Sequence, residues 1–236
     1  SSSTAERVRM TASWTQIAAA GPAQVVVDLT PIKGWHIYWL NPGDSGLPTT
    51  FKVRQNERLL RHDVRMPAPQ RFVSPGAIVT YGYAGSTLFF IQPHSLQTGL
   101  ETQVSADWLA CAEICIKGSK TITLKPFGAT ASAATSRQRK AWKRLPTPRI
   151  MPWTRTASSL VFEGQMGSVV KLFPHAELQL RLDGDSGPYC RKNRCEIPLS
   201  VLTSSAKQQP LRATLSVATS TLTQAFDMDL HQGIKP

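Results

Sequence analysis

Four cysteines occur among 236 residues, and they fall as two close pairs, Cys111/Cys115 and Cys190/Cys195. Sulfurs at such spacings can close a structural disulfide, pass electrons through a mixed disulfide, or hold a soft metal. Four cysteines allow three pairings. Closeness in twos favours local pairing, and cysteines paired for disulfides imply an oxidising compartment. Zinc fits poorly: the three- and four-residue gaps lack the regular two-knuckle pattern, and no histidine lies beside either pair.

Geometry narrows the local structure. A bonded pair needs Cα atoms about 4.4–6.8 Å apart, whereas four positions along one straight strand span roughly 13 Å. Cys111 and Cys115 must therefore flank a bend or share a helical turn. The segments on either side, Val104 to Leu109 and Ile116 to Leu124, read as strands, so a hairpin with Ala112-Glu113-Ile114 as its connection is expected. The bonded ring would be small, and strain in such a ring eases reduction. Lys117 and Lys120 would favour a thiolate there, while Glu113 would oppose it. These residues alone leave a redox pair and an inert cross-strand staple equally open. Cys190-Arg-Lys-Asn-Arg-Cys195 also reads as a hairpin tip closed by a disulfide, with Asn193 suited to a left-handed turn position. Three cations between its sulfurs would favour a thiolate, so reactivity is open to this pair too. A surface staple is the preferred reading.

The elements that position these cysteines are mostly strands. Ala23–Thr30, Thr49–Arg54, Ser86–Ile91 and Thr121–Lys125 are short and rich in β-branched or aromatic residues. Turn clusters punctuate them at Asn41–Gly46, Met66–Gln70 and Ser74–Gly76. Many short strands with Pro and Gly between them predict an antiparallel sandwich. The pattern breaks at Pro126-Phe-Gly, Ala131–Leu145 reads as a short helix, and prolines stop it. Strand signals resume at Ser168–Phe173, Glu177–Leu182, Glu196–Leu202 and Arg212–Val217. The expected division is a sandwich domain over 1–127, a linker with a short helix over 128–155, and a smaller β-sandwich domain over 156–236.

Composition bounds the function. A hydrophobic share of 41% supports real cores. No apolar run approaches the roughly 20 residues of a membrane helix, and Ser1-Ser-Ser-Thr4 reads as the start of a mature or trimmed chain. A membrane part would lie outside these residues. The net charge of +12 is concentrated in Arg137–Arg144 and Arg191–Arg194. No nucleic-acid-binding motif accompanies it, so a solvated face attracted to anionic lipid or an acidic partner is preferred to nucleic acid.

Three segments carry a resemblance to a known family. They are Gly34-Trp-His-Ile-Tyr-Trp-Leu-Asn-Pro-Gly-Asp-Ser-Gly-Leu-Pro48, Ile78-Val-Thr-Tyr-Gly-Tyr-Ala-Gly85 and Asp107-Trp-Leu-Ala-Cys-Ala-Glu-Ile-Cys-Ile116. Over residues 8–127 the chain resembles the N-terminal periplasmic domain of the DsbD/ScsB family of membrane thiol:disulfide electron transporters; the second half matches only loosely, around Leu172-Phe-Pro174. The resemblance implies an immunoglobulin-like sandwich for the first half; with the β pattern of the second half, the expected fold is all-β, two immunoglobulin-like antiparallel sandwiches joined by a short helical linker. The resemblance also implies a redox-active Cys111/Cys115 pair working as a protein-disulfide reductase relay without a bound cofactor or metal. Electrons would come from a membrane-embedded domain and pass to a periplasmic thioredoxin-fold oxidoreductase or isomerase of the ScsC type; ScsB-like members are associated with copper tolerance. In DsbD an aromatic cap loop shields the cysteines. Thr80, Tyr81 and Tyr83 line up best with that loop here, and its phenylalanine is missing. Three residues separate Cys111 from Cys115, as in the ScsB-like branch, where DsbD has five. Cys190/Cys195 falls outside the pattern.

His36, Tyr38 and Trp39 read as sandwich core and turn support, and Asn41–Gly46 as a structural turn. Two rivals stand beside the relay. One is a periplasmic copper-binding module using cysteine, Met66 and His62. The other is a non-redox immunoglobulin-like interaction domain with two structural disulfides.

Overall fold

The structure is a computed structural model that describes residues 6–17, 21–127, 131–148, 153–156, 159–163, 169–175, 180–182, 189–191, 194–201, 212–218 and 223–229. Along the chain run β1 (Val8–Gln16), β2 (Gln24–Pro31), β3 (His36–Gly43), β4 (Thr50–Gln55), β5 (Arg58–Leu60) and β6 (His62–Arg65). Next come β7 (Gln70–Ser74), β8 (Ile78–Tyr83), β9 (Thr87–Pro93), β10 (Thr102–Cys111), β11 (Cys115–Leu124), β12 (Ser132–Ala133) and helix α1 (Ser136–Lys143). The rest is β13 (Thr147–Pro148), β14 (Trp153–Arg155), β15 (Ser159–Glu163), β16 (Val169–Pro174), β17 (Leu180–Leu182), β18 (Tyr189–Arg191), β19 (Arg194–Val201), β20 (Arg212–Ala218) and β21 (Thr223–Asp229). The fold is all-β, as expected. The chain divides into two compact units, Ser1–Phe72 with Thr80–Lys143 and Val73–Val79 with Arg144–Pro236.

In the first unit one sheet runs β12-β1-β2-β9-β6; the other runs β5-β4-β10-β3-β8-β7, with β11 added to β10. Alternation explains their packing. Val25, Val27 and Leu29 of β2 and Phe89 and Ile91 of β9 are fully buried. Phe89 meets Phe51 of β4 and Tyr83 of β8 at 5.1 Å and 5.4 Å between ring centres. Burying such side chains contributes about 1.5–3 kcal/mol each.

Strand β2 is also buried on its other face, which simple alternation does not require. Val26 pairs with Phe90 there, and Trp142 of α1 lies edge-on to Phe90 at 5.1 Å with Arg65 over its ring. Arg137 ties the same helix to Asp28 at 2.6 Å and to Ser86 at 2.7 Å. Arg137 and Trp142, from the basic stretch, thus fasten the helix to the sheet. That helix is shorter than the predicted Ala131–Leu145. Thr135 and Gln138 form a reciprocal capping box, with Gln138 N donating to Thr135 Oγ1 and Thr135 N donating to Gln138 Oε1. Residues Ser132 and Ala133 pair with β1 instead.

In the second unit one sheet runs β13-β21-β20-β16, and another runs β14-β15-β19-β17 with β18 paired to β19. Leu160, Phe162, Phe173, Ile197 and Leu215 form its core. The part of the expected strand Glu177–Leu182 before Leu180 lies outside the described residues.

Candidate functional site

Both cysteine pairs are bonded within hairpins. β10 and β11 pair along their whole length, ending at Cys111 opposite Cys115, and the two sulfurs are joined with Cα atoms 4.1 Å apart. Ala112-Glu113-Ile114 makes the turn, with Ala112 N donating to Ile114 O at 3.0 Å. The geometric expectation of a hairpin therefore holds. Its two sulfurs differ sharply in surroundings: Cys111 is 2% exposed, whereas Cys115 and the turn residues face solvent, Ile114 at 62%.

The neighbouring motif explains how this tip is held. Asp107 and Trp108 point to opposite faces of β10. Asp107 bridges its two neighbouring strands. The Ser119 hydroxyl of β11, and after it the Lys52 ammonium of β4, hold its carboxyl below the usual carboxylate range; Lys52 Nζ lies 3.1 Å away. Trp108 is paired with Gly118, where a Cβ would stand 2.3 Å from the indole nitrogen. Only glycine lets the ring lie across β11 there.

Cys111 packs with Leu109 and Tyr38 on one face of the sheet. His36 of β3 is directly opposite Cys111, so its side chain shares that face. The imidazole stacks on Phe72 of β7 at 4.6 Å and meets Tyr38 edge-on at 5.1 Å. Its Nε2 is buried and has no hydrogen-bond partner. The Asn41–Gly46 turn backs this arrangement: Asn41 Oδ1 accepts from Gly43 N at 3.0 Å, and Gly46 lies against the Tyr38 ring. Tyr38 and Trp39 are core residues, as read from sequence. The placement of His36 opposite Cys111, with Phe72 stacked on it, was missed. No local signal reveals it, because the pairing of β3 with β10 joins residues far apart in the chain.

Burial lowers the His36 pKa. The unfolded chain therefore binds that proton first as pH falls, so this contribution to stability is present above the ordinary histidine pKa of about 6.5 and is lost as pH drops below it. His36→Phe is expected to flatten that slope. Between about pH 7.5 and pH 5, the urea midpoint of the unaltered protein should fall further than that of the variant. Equal falls would exclude His36 as a source of the pH dependence.

Thr80, Tyr81 and Tyr83 lie in strand β8, not in a loop, and all three are buried. Thr80 pairs with Gly43, and Tyr83 donates its hydroxyl to Pro67 O at 2.7 Å. The aromatic residues on the Cys111 face are instead Tyr38 and His36, with Phe72 stacked on His36. Of the copper-binding candidates, His62 has Nδ1 3.0 Å from Leu60 O and Nε2 3.1 Å from Phe51 O, so both nitrogens already face backbone carbonyls.

The second pair closes the β18–β19 hairpin, with Cys190 opposite Cys195 and Cα atoms 4.1 Å apart. Asn193 lies outside the described residues. Cys195 is fully buried against β15, where Phe162 is its register partner, and Cys190 is half-buried.

Residues 7–126, just over half of the chain, match the family model described as thiol:disulfide interchange protein DsbD, N-terminal. Among solved structures the chain is similar to the N-terminal periplasmic domain of ScsB from Proteus mirabilis, at 15% identity and a TM-score of 0.67, over 94% of this chain and 92% of that one. That likeness shows the fold. A second match, the E. coli chaperone DraB, has 10% identity and a TM-score of 0.28 over 94% and 96% of the two chains, too loose to carry an argument. No curated protein sequence matches.

Proposed function

Because the chain belongs to the family of the N-terminal domain of thiol:disulfide interchange protein DsbD, we propose that it is a periplasmic thiol–disulfide exchange domain working through Cys111 and Cys115. The observation that carries this reading is the asymmetry of the bond: an exposed Cys115 tied to a buried Cys111 at a hairpin tip. Exchange requires one accessible sulfur and a second poised to resolve the mixed disulfide.

In the reduced domain the Cys115 thiolate attacks a partner disulfide, forming a mixed disulfide and releasing one partner thiolate. Cys111 then attacks Cys115 Sγ, the mixed bond breaks, and the second partner sulfur leaves. The partner gains two electrons and the domain returns to the disulfide. His36, directly opposite Cys111 across the β3–β10 pair and with an unpaired Nε2, takes the Cys111 proton as that sulfur becomes nucleophilic.

The relay occupies the first sandwich, residues 1–127. Its electrons come from a membrane-embedded domain and go to periplasmic thioredoxin-fold proteins of the ScsC type, which connects the domain to copper tolerance. Among the described residues no helix is long and apolar enough to cross a membrane. Cys190–Cys195 serves as a staple of the second unit, with Cys195 sealed in its core.

The test is transfer itself. Reduced protein mixed with an oxidised thioredoxin-fold disulfide protein is expected to yield one partner dithiol per domain oxidised, counted by alkylation. A partner left oxidised under these conditions would sink the reading.

A further inference from the structure

We propose that the open edge of β11 is a docking rail, on which the partner protein lays an extended segment paired main chain to main chain with Cys115, Lys117 and Ser119. This rests on the redox reading of Cys111–Cys115 and adds how a protein partner is recognised.

The topology supplies the rail. β11 is ten residues long, and among the described residues it pairs with β10 only. β1 passes its other side without forming a ladder, leaving a cavity of about 270 Å³ lined by Glu6, Arg7 and Val8 on one side and Ile116, Lys117 and Ser119 on the other. Arg7 Nε at this wall is buried without a hydrogen-bond partner.

The register says which main-chain groups face that edge. In an antiparallel ladder, hydrogen-bonded and non-hydrogen-bonded pairs alternate. Ala112 N donates to Ile114 O, so the next pair, Cys111 and Cys115, is of the non-hydrogen-bonded kind. Their Cα separation of 4.1 Å belongs to that close class. Two and four residues on, Lys117 opposite Leu109 and Ser119 opposite Asp107 are of the same kind. At these three positions the N–H and C=O point away from β10 into the open edge.

The main chain of the exposed cysteine is thus itself part of the rail. A residue docked opposite Cys115 in a hydrogen-bonded pair would sit about 5.5 Å away between Cα atoms, inside the range a disulfide spans. Strand addition of this type draws affinity from main-chain bonds and specificity from side chains.

The side chains indicate the occupant. An open edge risks indiscriminate pairing, and lysines on it are a common guard. Lys117 is exposed here, and Lys120 is paired with Glu6 at 2.7 Å. A second copy of this chain would bring another +12 of charge to the same edge. The fitting occupant is therefore a neutral or acidic extended segment of a disulfide-bearing partner protein, lying beside its reactive cysteine.

Lys117→Pro tests this, because the N–H it removes is not used between β10 and β11, and proline is tolerated on such an edge. Lys117→Ala is its control. Exchange is measured with an oxidised thioredoxin-fold protein and, separately, with oxidised glutathione, which needs no rail. The expected result is that Lys117→Pro slows protein exchange about tenfold, the equivalent of one or two main-chain hydrogen bonds. Lys117→Ala, which loses the same charge but keeps the N–H, stays well above Lys117→Pro in protein exchange, and the two variants match each other with glutathione. Protein exchange unaffected by proline, or slowed equally by alanine, would overturn the rail and leave the redox reading intact. An unaltered protein inert to both oxidants would overturn the redox reading and the rail with it. Independently of the proline variant, hydrogen exchange on the mixed disulfide trapped with Cys111→Ser should show the amides of Cys115, Lys117 and Ser119 newly protected. Unchanged amides, or protection arising from dimers of this chain in sedimentation, would count against the proposed occupant.

Discussion

Serine at Cys115 is expected to abolish exchange with protein disulfides, while serine at Cys111 should leave a protein that captures its partner as a lasting mixed disulfide. The two positions are joined in one bond, yet they are not equivalent. Cys115 opens the exposed strand β11, whereas Cys111 is 2% exposed beneath Tyr38 and Leu109. A partner sulfur must approach the sulfur it attacks along the line of the bond that breaks, and only Cys115 offers that approach. In Cys115→Ser the remaining thiol is the covered one, so exchange with proteins should fall by at least roughly a hundredfold. In Cys111→Ser the exposed thiol still attacks, but the resolving sulfur is gone and the intermediate accumulates. Gel-shift counting of mixed disulfide after alkylation reads both outcomes. Equal capture by the two variants would show that the burial difference does not choose the attacking sulfur.

Gly82→Ala is expected to be the most destabilising single change near the site. Gly82 of β8 pairs with Tyr38 of β3, and a Cβ there would stand 2.0 Å from the carbonyl oxygen of Ile37 and 3.0 Å from its carbon. Those are backbone atoms of a neighbouring strand, so no rotamer change relieves the clash and β8 must draw away from β3. Overpacking of this kind costs about 3 kcal/mol, a large part of the roughly 5–15 kcal/mol that holds a domain together. Urea unfolding should show a markedly lower midpoint with an unchanged slope. β3 also carries His36 and Tyr38, so the surviving folded protein should show altered exchange at Cys111–Cys115. A variant with the unaltered midpoint would mean that the strands separate without cost.

Gly82 also shows where sequence reasoning stopped. The family resemblance placed it in a Tyr-Gly-Tyr loop and implied a cap at Thr80, Tyr81 and Tyr83. In the fold it is a close approach of two strands, and Tyr81 and Tyr83, two positions apart, share one face of a buried strand. The Cys111–Cys115 hairpin was legible because its spacing and the reach of a disulfide leave few conformations. The roles of His36 and Phe72 were not, because they depend on a β3–β10 pairing and a β7 position that no local pattern encodes. Helix α1 was legible as a helix, but its start was set by the Thr135–Gln138 box, which the alanine-rich stretch before it obscures. The double burial of β2 likewise follows from α1 docking through Arg137 and Trp142.

The central claim, that Cys111–Cys115 is the working pair and Cys190–Cys195 a staple, is tested most directly by titrating each bond separately. The intact protein is equilibrated in graded thiol–disulfide buffers, quenched by alkylation, and mapped by peptide mass. Cys111–Cys115 is expected to be half-reduced between about −120 and −270 mV, the span of working oxidoreductases, with Cys190–Cys195 still oxidised below about −300 mV. A Cys111–Cys115 bond that resists reduction below about −300 mV, or a Cys190–Cys195 bond that titrates in its place, would contradict the account.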